Sequence, residues 1–236
     1  MKIKSYITLL ATALFSLTVA ANDEIPTGKL IVPDSVGWGS KTQVEWDIDY
    51  PDISDIVDID EEDGSIEISV DGLRMMIRVK AAEMTRGDIY VEYRVGANGS
   101  WQRIFQGVSS DVQPEKVLNG PNSTGEVVNS NTRIDFRIKQ DGYTGSRANW
   151  RATNLDKNSK YLTLVACIDG DEAPDVTGHS GQGDAADFIK KFIDEDGNVT
   201  LGRREVIYFF EAYGYIGEEN NSYYDLQDAV ILVTFE

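Results

Sequence analysis

Thr132-Arg133-Ile134-Asp135-Phe136-Arg137-Ile138-Lys139 decides the fold class. Ile134, Phe136 and Ile138 alternate with the charged Arg133, Asp135, Arg137 and Lys139, so one face is apolar and the other wet. A period of two belongs to a β-strand, whose successive side chains point to opposite faces; a helix would repeat its apolar stripe every three or four residues. The same rhythm extends outward along the chain. It runs through 42–48 on Val44, Trp46 and Ile48, through 74–80 on Met75, Ile77 and Val79, and through 88–95 on Ile89, Val91, Tyr93 and Val95. Shorter candidates lie at 29–32, 65–70 and 101–108. Burial on one face alone is the antiparallel pattern.

Residues 161–168, 205–210 and 229–235 are apolar on both faces, which predicts central strands covered from both sides. Gly96-Ala97-Asn98-Gly99 lies between two strand rhythms and predicts a hairpin. One helix is predicted near 184–194, with Asp184 as its cap and Phe188, Ile189, Phe192 and Ile193 on one face, ending at Gly197. Pro114, Gly120, Pro121 and Gly125 mark a long loop, and no linker divides the chain. Residues 22–236 are therefore expected to form one antiparallel β-sandwich, jelly-roll or immunoglobulin-like, with one inserted short α-helix.

Composition bounds location and partners. The chain has 236 residues, with 22 Lys+Arg against 40 Asp+Glu, a net charge of −18, one His and one Cys. One Cys excludes an internal disulfide and Cys-based zinc modules. The acidity opposes a nucleic-acid partner, because phosphate is bound by Lys and Arg. Residues 1–21 read as a secretory signal peptide: Lys2 and Lys4 start it, 7–17 is apolar, and Thr18-Val19-Ala20-Ala21 supplies small residues for cleavage. The apolar run is shorter than the roughly 20 residues a membrane span needs. The expected location is secreted, periplasmic or cell-surface, with no transmembrane segment after cleavage.

Three acidic segments raise the question of calcium, which takes several converging carboxylate oxygens. The first runs from Asp52 to Asp63, with Asp58, Asp60, Glu62 and Asp63 as its candidate ligands. A solvated loop that blocks edge-to-edge pairing explains the same residues. Asp194-Glu195-Asp196-Gly197 resembles an EF-hand core, but the spacing puts Phe192 at the first ligand position and Arg203 at the bidentate one, so a turn explains it better. The third is Asp169, Asp171, Glu172 and Asp175, and a meeting of two such loops would strengthen the case.

Aromatic residues on loops are the other candidates. Trp38 sits between glycines, Tyr143 lies at a Gly-flanked tip, and Tyr213, Tyr215, Tyr223 and Tyr224 bracket a loop. Such rings stack on sugars or dock on proteins, or simply plug the ends of a sandwich. His179 lies in a Gly/Ser-rich loop without triad spacing, and Cys167 reads as a small buried hydrophobe. Carboxylate pairs are too abundant here to single out a glycosidase.

Several segments carry a resemblance: Trp46-Asp47-Ile48 with Tyr50-Pro51, Leu73-Arg74-Met75, Tyr93-Arg94-Val95 followed by Trp101, Arg133-Ile134-Asp135, and above all Tyr224-Asp225-Leu226-Gln227-Asp228 leading into Leu232-Val233-Thr234-Phe235. In these the chain resembles a family of uncharacterised exported bacterial β-rich proteins. The resemblance implies secretion and a shared fold, and no activity or site. The functional expectation is an exported non-enzymatic structural or adhesive protein whose partners are other protein subunits. The alternatives are a carbohydrate-binding module for an extracellular glycan and, third, a carboxylate-dependent hydrolase.

Overall fold

The computed structural model describes residues 27–31, 45–83, 87–142, 149–174, 190–218, 221 and 224–236. Each two-residue rhythm that falls within them is a strand. β1 (Thr27–Ile31) and β2 (Glu45–Asp49) form an antiparallel pair of their own. A single helical turn, α1 (Ile53–Ile56), follows, closed by the Asp52 N–H donating to Asp55 Oδ2 at 2.8 Å. Then come β3 (Val57–Ile59), β4 (Ile66–Ile68), β5 (Leu73–Ala81), β6 (Ile89–Val95) and β7 (Gln102–Gly107). β8 (Glu126–Val128), β9 (Arg133–Gln140), β10 (Arg151–Ala152) and β11 (Leu164–Cys167) precede β12 (Glu205–Phe210) and β13 (Ala229–Phe235).

Two antiparallel sheets face each other as an all-β sandwich. One has the order β3-β4-β9-β6-β7, with β10 also pairing β9; the other has the order β11-β12-β13-β5-β8. Apolar side chains of the alternating strands turn inward, among them Ile77, Val79, Ile89, Val91, Ile134, Phe136 and Ile138. The Phe136 and Tyr208 rings meet across the two layers, 5.0 Å between centroids. Burying one such ring is worth about 1.5–3 kcal/mol. The predicted hairpin joins β6 to β7, where Gly96 adopts φ 79° and the Gly99 N–H donates to the Gly96 carbonyl at 2.8 Å.

Of the three segments apolar on both faces, β12 and β13 are central as expected, whereas β11, within 161–168, lies at the end of the five-stranded sheet with three of its four residues only half-buried. Val206, Tyr208 and Phe210 of β12 enter the inter-sheet core. Ile207 and Phe209 point the other way and, with Cys167, Val230 and Leu232, form a second cluster. Val199, Phe192, Ile193, Leu201, Tyr224 and Leu226 cover that cluster from outside.

The predicted helix near 184–194 lies largely outside the described residues; its later part holds one 3-10 turn, Lys190–Phe192. The α-helix among the described residues is α1. The expected signal peptide, Trp38, Tyr143, His179 and Tyr223 also lie outside them. Among the described residues no helix is long and apolar enough to cross a membrane.

Candidate functional site: a groove between two sheet edges

Each sheet ends in a strand with one neighbour among the described residues: β3 in the six-stranded sheet, β11 in the five-stranded one. Both edges line one groove of about 780 Å³. Its floor is apolar, built by Ile53, Val57, Ile59, Leu162, Leu164 and Ala166. Ile59, Leu164 and Ala166 pack against the inter-sheet core, so the groove opens onto the flank of the sandwich. The floor is held together at Gly64, in the β3–β4 turn, whose carbonyl accepts the buried Tyr208 hydroxyl at 2.7 Å.

The rim is acidic. Asp58, Asp60, Glu61, Glu62, Asp63 and Asp171 line it against one cation, Lys157. The four residues expected to ligate calcium are here, but their carboxylates point to separate tasks. Asp60 Oδ1 accepts the N–H groups of Glu62 and Asp63 at 2.7 and 3.3 Å, which shapes the turn. Asp63 accepts the Ser65 N–H and pairs with Arg133 at 2.6 Å, and Glu62 pairs with Lys157 at 2.6 Å. Asp58 and Glu61 are exposed, with no partner among the described residues.

The other two acidic loops do meet, through their backbones. Glu172 bridges Asn198, and the Val199 N–H donates to the Asp171 carbonyl at 2.7 Å. Asp169 accepts the Leu201 N–H, Asp171 the Ile168 N–H, and Asp194 the N–H groups of Asp196 and Asn198. Those amide contacts hold the Asp194 carboxyl below the usual carboxylate range. These carboxylates thus close turns.

A different acid set converges, which the sequence reading did not find. Glu211, at the end of β12, and Asp225 and Asp228, ahead of β13, are all buried, with carboxylate oxygens within 4.8 Å of one another. Glu211 Oε1 accepts the N–H groups of Tyr213 and Gly214, both at 2.7 Å, and Oε2 that of Asp225 at 3.0 Å. Asp228 Oδ2 accepts the Ala212 N–H at 2.6 Å. Gln227 Nε2 donates to Asp225 Oδ2 at 2.8 Å. Burial, with Glu211 and Asp225 as neighbours, pushes the Asp228 carboxyl well above its usual range. Oxygen donors of this kind suit a hard cation. Here each carboxylate already accepts at least one N–H group, and the set ties together the two stems of the β12–β13 connection.

Beside it lies Arg151, fully buried, with its guanidinium 5.0 and 5.2 Å from the Tyr161 and Tyr215 ring centres. Its Nη2 donates to the Gly214 carbonyl at 3.1 Å, while Nε and Nη1 have no hydrogen-bond partner among the described residues. Of the aromatic candidates, Tyr224 is buried under the second cluster, Tyr215 packs edge-on against Tyr161 at 5.6 Å, and Tyr213 is half-buried. These three do not form one exposed flat surface.

The outer face of the six-stranded sheet carries a cation–aromatic ladder, also missed in sequence. The Arg137 guanidinium lies 4.2 Å from the Trp101 ring centre and 3.9 Å from that of Trp150, and Arg103 lies 4.2 Å from Tyr90. Glu92 joins Arg103 to Arg137 below the rings. Alternation along β6, β7 and β9 was visible, but which outward residues stack depends on register across strands.

Searches with the chain against protein-family models, curated proteins and solved structures match nothing.

Proposed function

We propose that this chain is an exported, non-enzymatic structural or adhesive protein that acts by contact with other proteins at the cell surface or in an extracellular assembly. The observation that supports this reading is the groove: two sheet edges, each without a further neighbour among the described residues, flank one apolar floor on one side of the sandwich. An uncovered sheet edge can recruit an extended chain, and the charge along its rim then decides which chains are accepted.

The chemistry of the interior supports a non-enzymatic role. Burial, with Asp171 nearby, pushes the Cys167 thiol up to about 12, far from a reactive thiolate. The converging carboxylates are buried and engaged with backbone amides, which suits support rather than hydrolysis. A carbohydrate-binding role gains little from Tyr213, Tyr215 and Tyr224, and the Trp101 and Trp150 faces are already occupied by Arg137.

Fractionation of cells expressing the full chain tests the proposal. The expected product begins at Ala21 or Asn22 by mass spectrometry, lies outside the cytoplasm, and is removed from intact cells by added protease. Recovery of the intact N-terminus in the cytosol overturns it.

A further inference from the structure

The contact reading leaves open what enters the groove, and the ladder geometry answers in chemical terms. The Glu211 N–H donates to the Thr163 carbonyl at 2.9 Å, and Leu164 stands opposite Phe210. Bonded and non-bonded pairs alternate along an antiparallel ladder. Positions 163, 165 and 167 therefore bond to β12, and Leu164 and Ala166 turn their N–H and C=O groups to the edge that has no neighbour among the described residues. The same count applies on the other wall. The Asp60 N–H donates to Ser65 and the Ser69 N–H to Ile56, so Val57 and Ile59 face outward along β3, where the Val57 N–H is already taken by the Ile53 carbonyl. All four residues line the groove.

Outward backbone groups call for an extended chain, which can add as a strand. The floor calls for apolar side chains at alternate positions. The rim sets the charge of the remaining positions: six carboxylates face one ammonium. A second copy of this chain is disfavoured, because its net charge is −18.

We propose that the groove binds an extended segment of another protein, apolar at every second residue and bearing Lys or Arg between, added as a strand on the β11 edge. This rests on the contact reading above. Leu164 and Ala166 supply the backbone pairing, the floor takes the apolar side chains, and Asp58 and Glu61, the rim acids without partners among the described residues, meet the cations.

The test uses the full mature chain and a fluorescein-labelled (Lys-Val)5 peptide, with (Lys-Ser)5 and (Glu-Val)5 as comparisons. Expected are saturable binding of (Lys-Val)5 at least tenfold tighter than either comparison peptide, and slowed amide hydrogen exchange at Leu164 and Ala166. Ala166→Pro removes one outward donor without removing a bond to β12, a placement proline tolerates on an edge strand. It is expected to weaken binding at least tenfold, as is the exposed pair Asp58→Lys with Glu61→Lys. Equal binding of (Lys-Val)5 and (Lys-Ser)5, no exchange protection on β11, or full affinity in the Asp58→Lys/Glu61→Lys variant overturns the proposal. Should Ala166→Pro fail to fold by circular dichroism, the charge variant and the exchange map still decide. Peptide binding is read on purified protein, so its failure is distinct from a failure of export, which cell fractionation reports.

Discussion

Arg94 and Asp135 stand directly opposite each other on β6 and β9, and the Arg94 guanidinium meets Asp135 Oδ2 at 2.8 Å. Asp135 has no exposed surface, and its other oxygen accepts from Arg133 Nε at 2.9 Å and the Thr153 hydroxyl at 3.1 Å. Removing this carboxylate takes away the ion-pair partner of Arg94 and leaves Arg133 with Asp63 alone, and breaking a buried pair costs about 3–5 kcal/mol. Asp135→Ala is expected to lose stability on that scale in urea unfolding. A loss below 1 kcal/mol would show that the pair is held only loosely.

Tyr208 links the layers through its hydroxyl. Tyr208→Phe keeps the ring against Phe136 but leaves the buried Gly64 carbonyl without its donor. A cost of about 1–3 kcal/mol is expected for such a group, with faster amide exchange in the β3–β4 turn. Unchanged stability and exchange would dissociate the hydroxyl from the groove floor.

Asp228 gives the protein a pH dependence of definite sign. Its carboxyl in the folded state titrates well above the ordinary 3.8, because burial and the neighbouring Glu211 and Asp225 disfavour its charge. Between 3.8 and the raised value the folded chain holds a proton that the unfolded chain has released. Its contribution is thus complete below 3.8 and declines as pH rises through the folded value. Asp228→Asn keeps an acceptor for the Ala212 N–H without that ionisation. The variant is expected to gain Tm relative to the parent as pH rises from 4 to 8; parallel curves would refute the assignment.

Cys167 offers a labelling test. Its side chain is 2% exposed and burial raises its thiol to about 12. A thiol reagent at pH 8 is expected to modify it only at the rate of unfolding, and fully in denaturant. Rapid modification of the native protein would mean that the outer cover of β11 and β12 opens readily.

Strand rhythm made most of the sandwich legible, because a two-residue period survives wherever one face stays wet, as on β6 and β9. The double-sided apolar runs at β12 and β13 also declared their central place. The pieces that escaped were too short to show a period: α1, β3, β8 and β10 have two to four residues each. The candidate site was legible in part. Asp58, Asp60, Glu62 and Asp63 stood out as charge, yet the ion pairs of Asp63 and Glu62 depend on Arg133 and Lys157, distant in sequence. Glu211 was hidden because it follows an apolar strand and meets Asp225 and Asp228 only when β12 and β13 pair.

β13 is inserted between β12 and β5, and its partner on β5 lies some 150 positions earlier in the chain. The sheet therefore cannot close in the order in which its residues emerge. β5 must wait, with its β13-facing side unmatched, until residues 229–235 arrive, and such distant pairings slow folding. Maturation of this protein is expected to be post-translational, and a segment that mimics β13 would compete for the waiting gap.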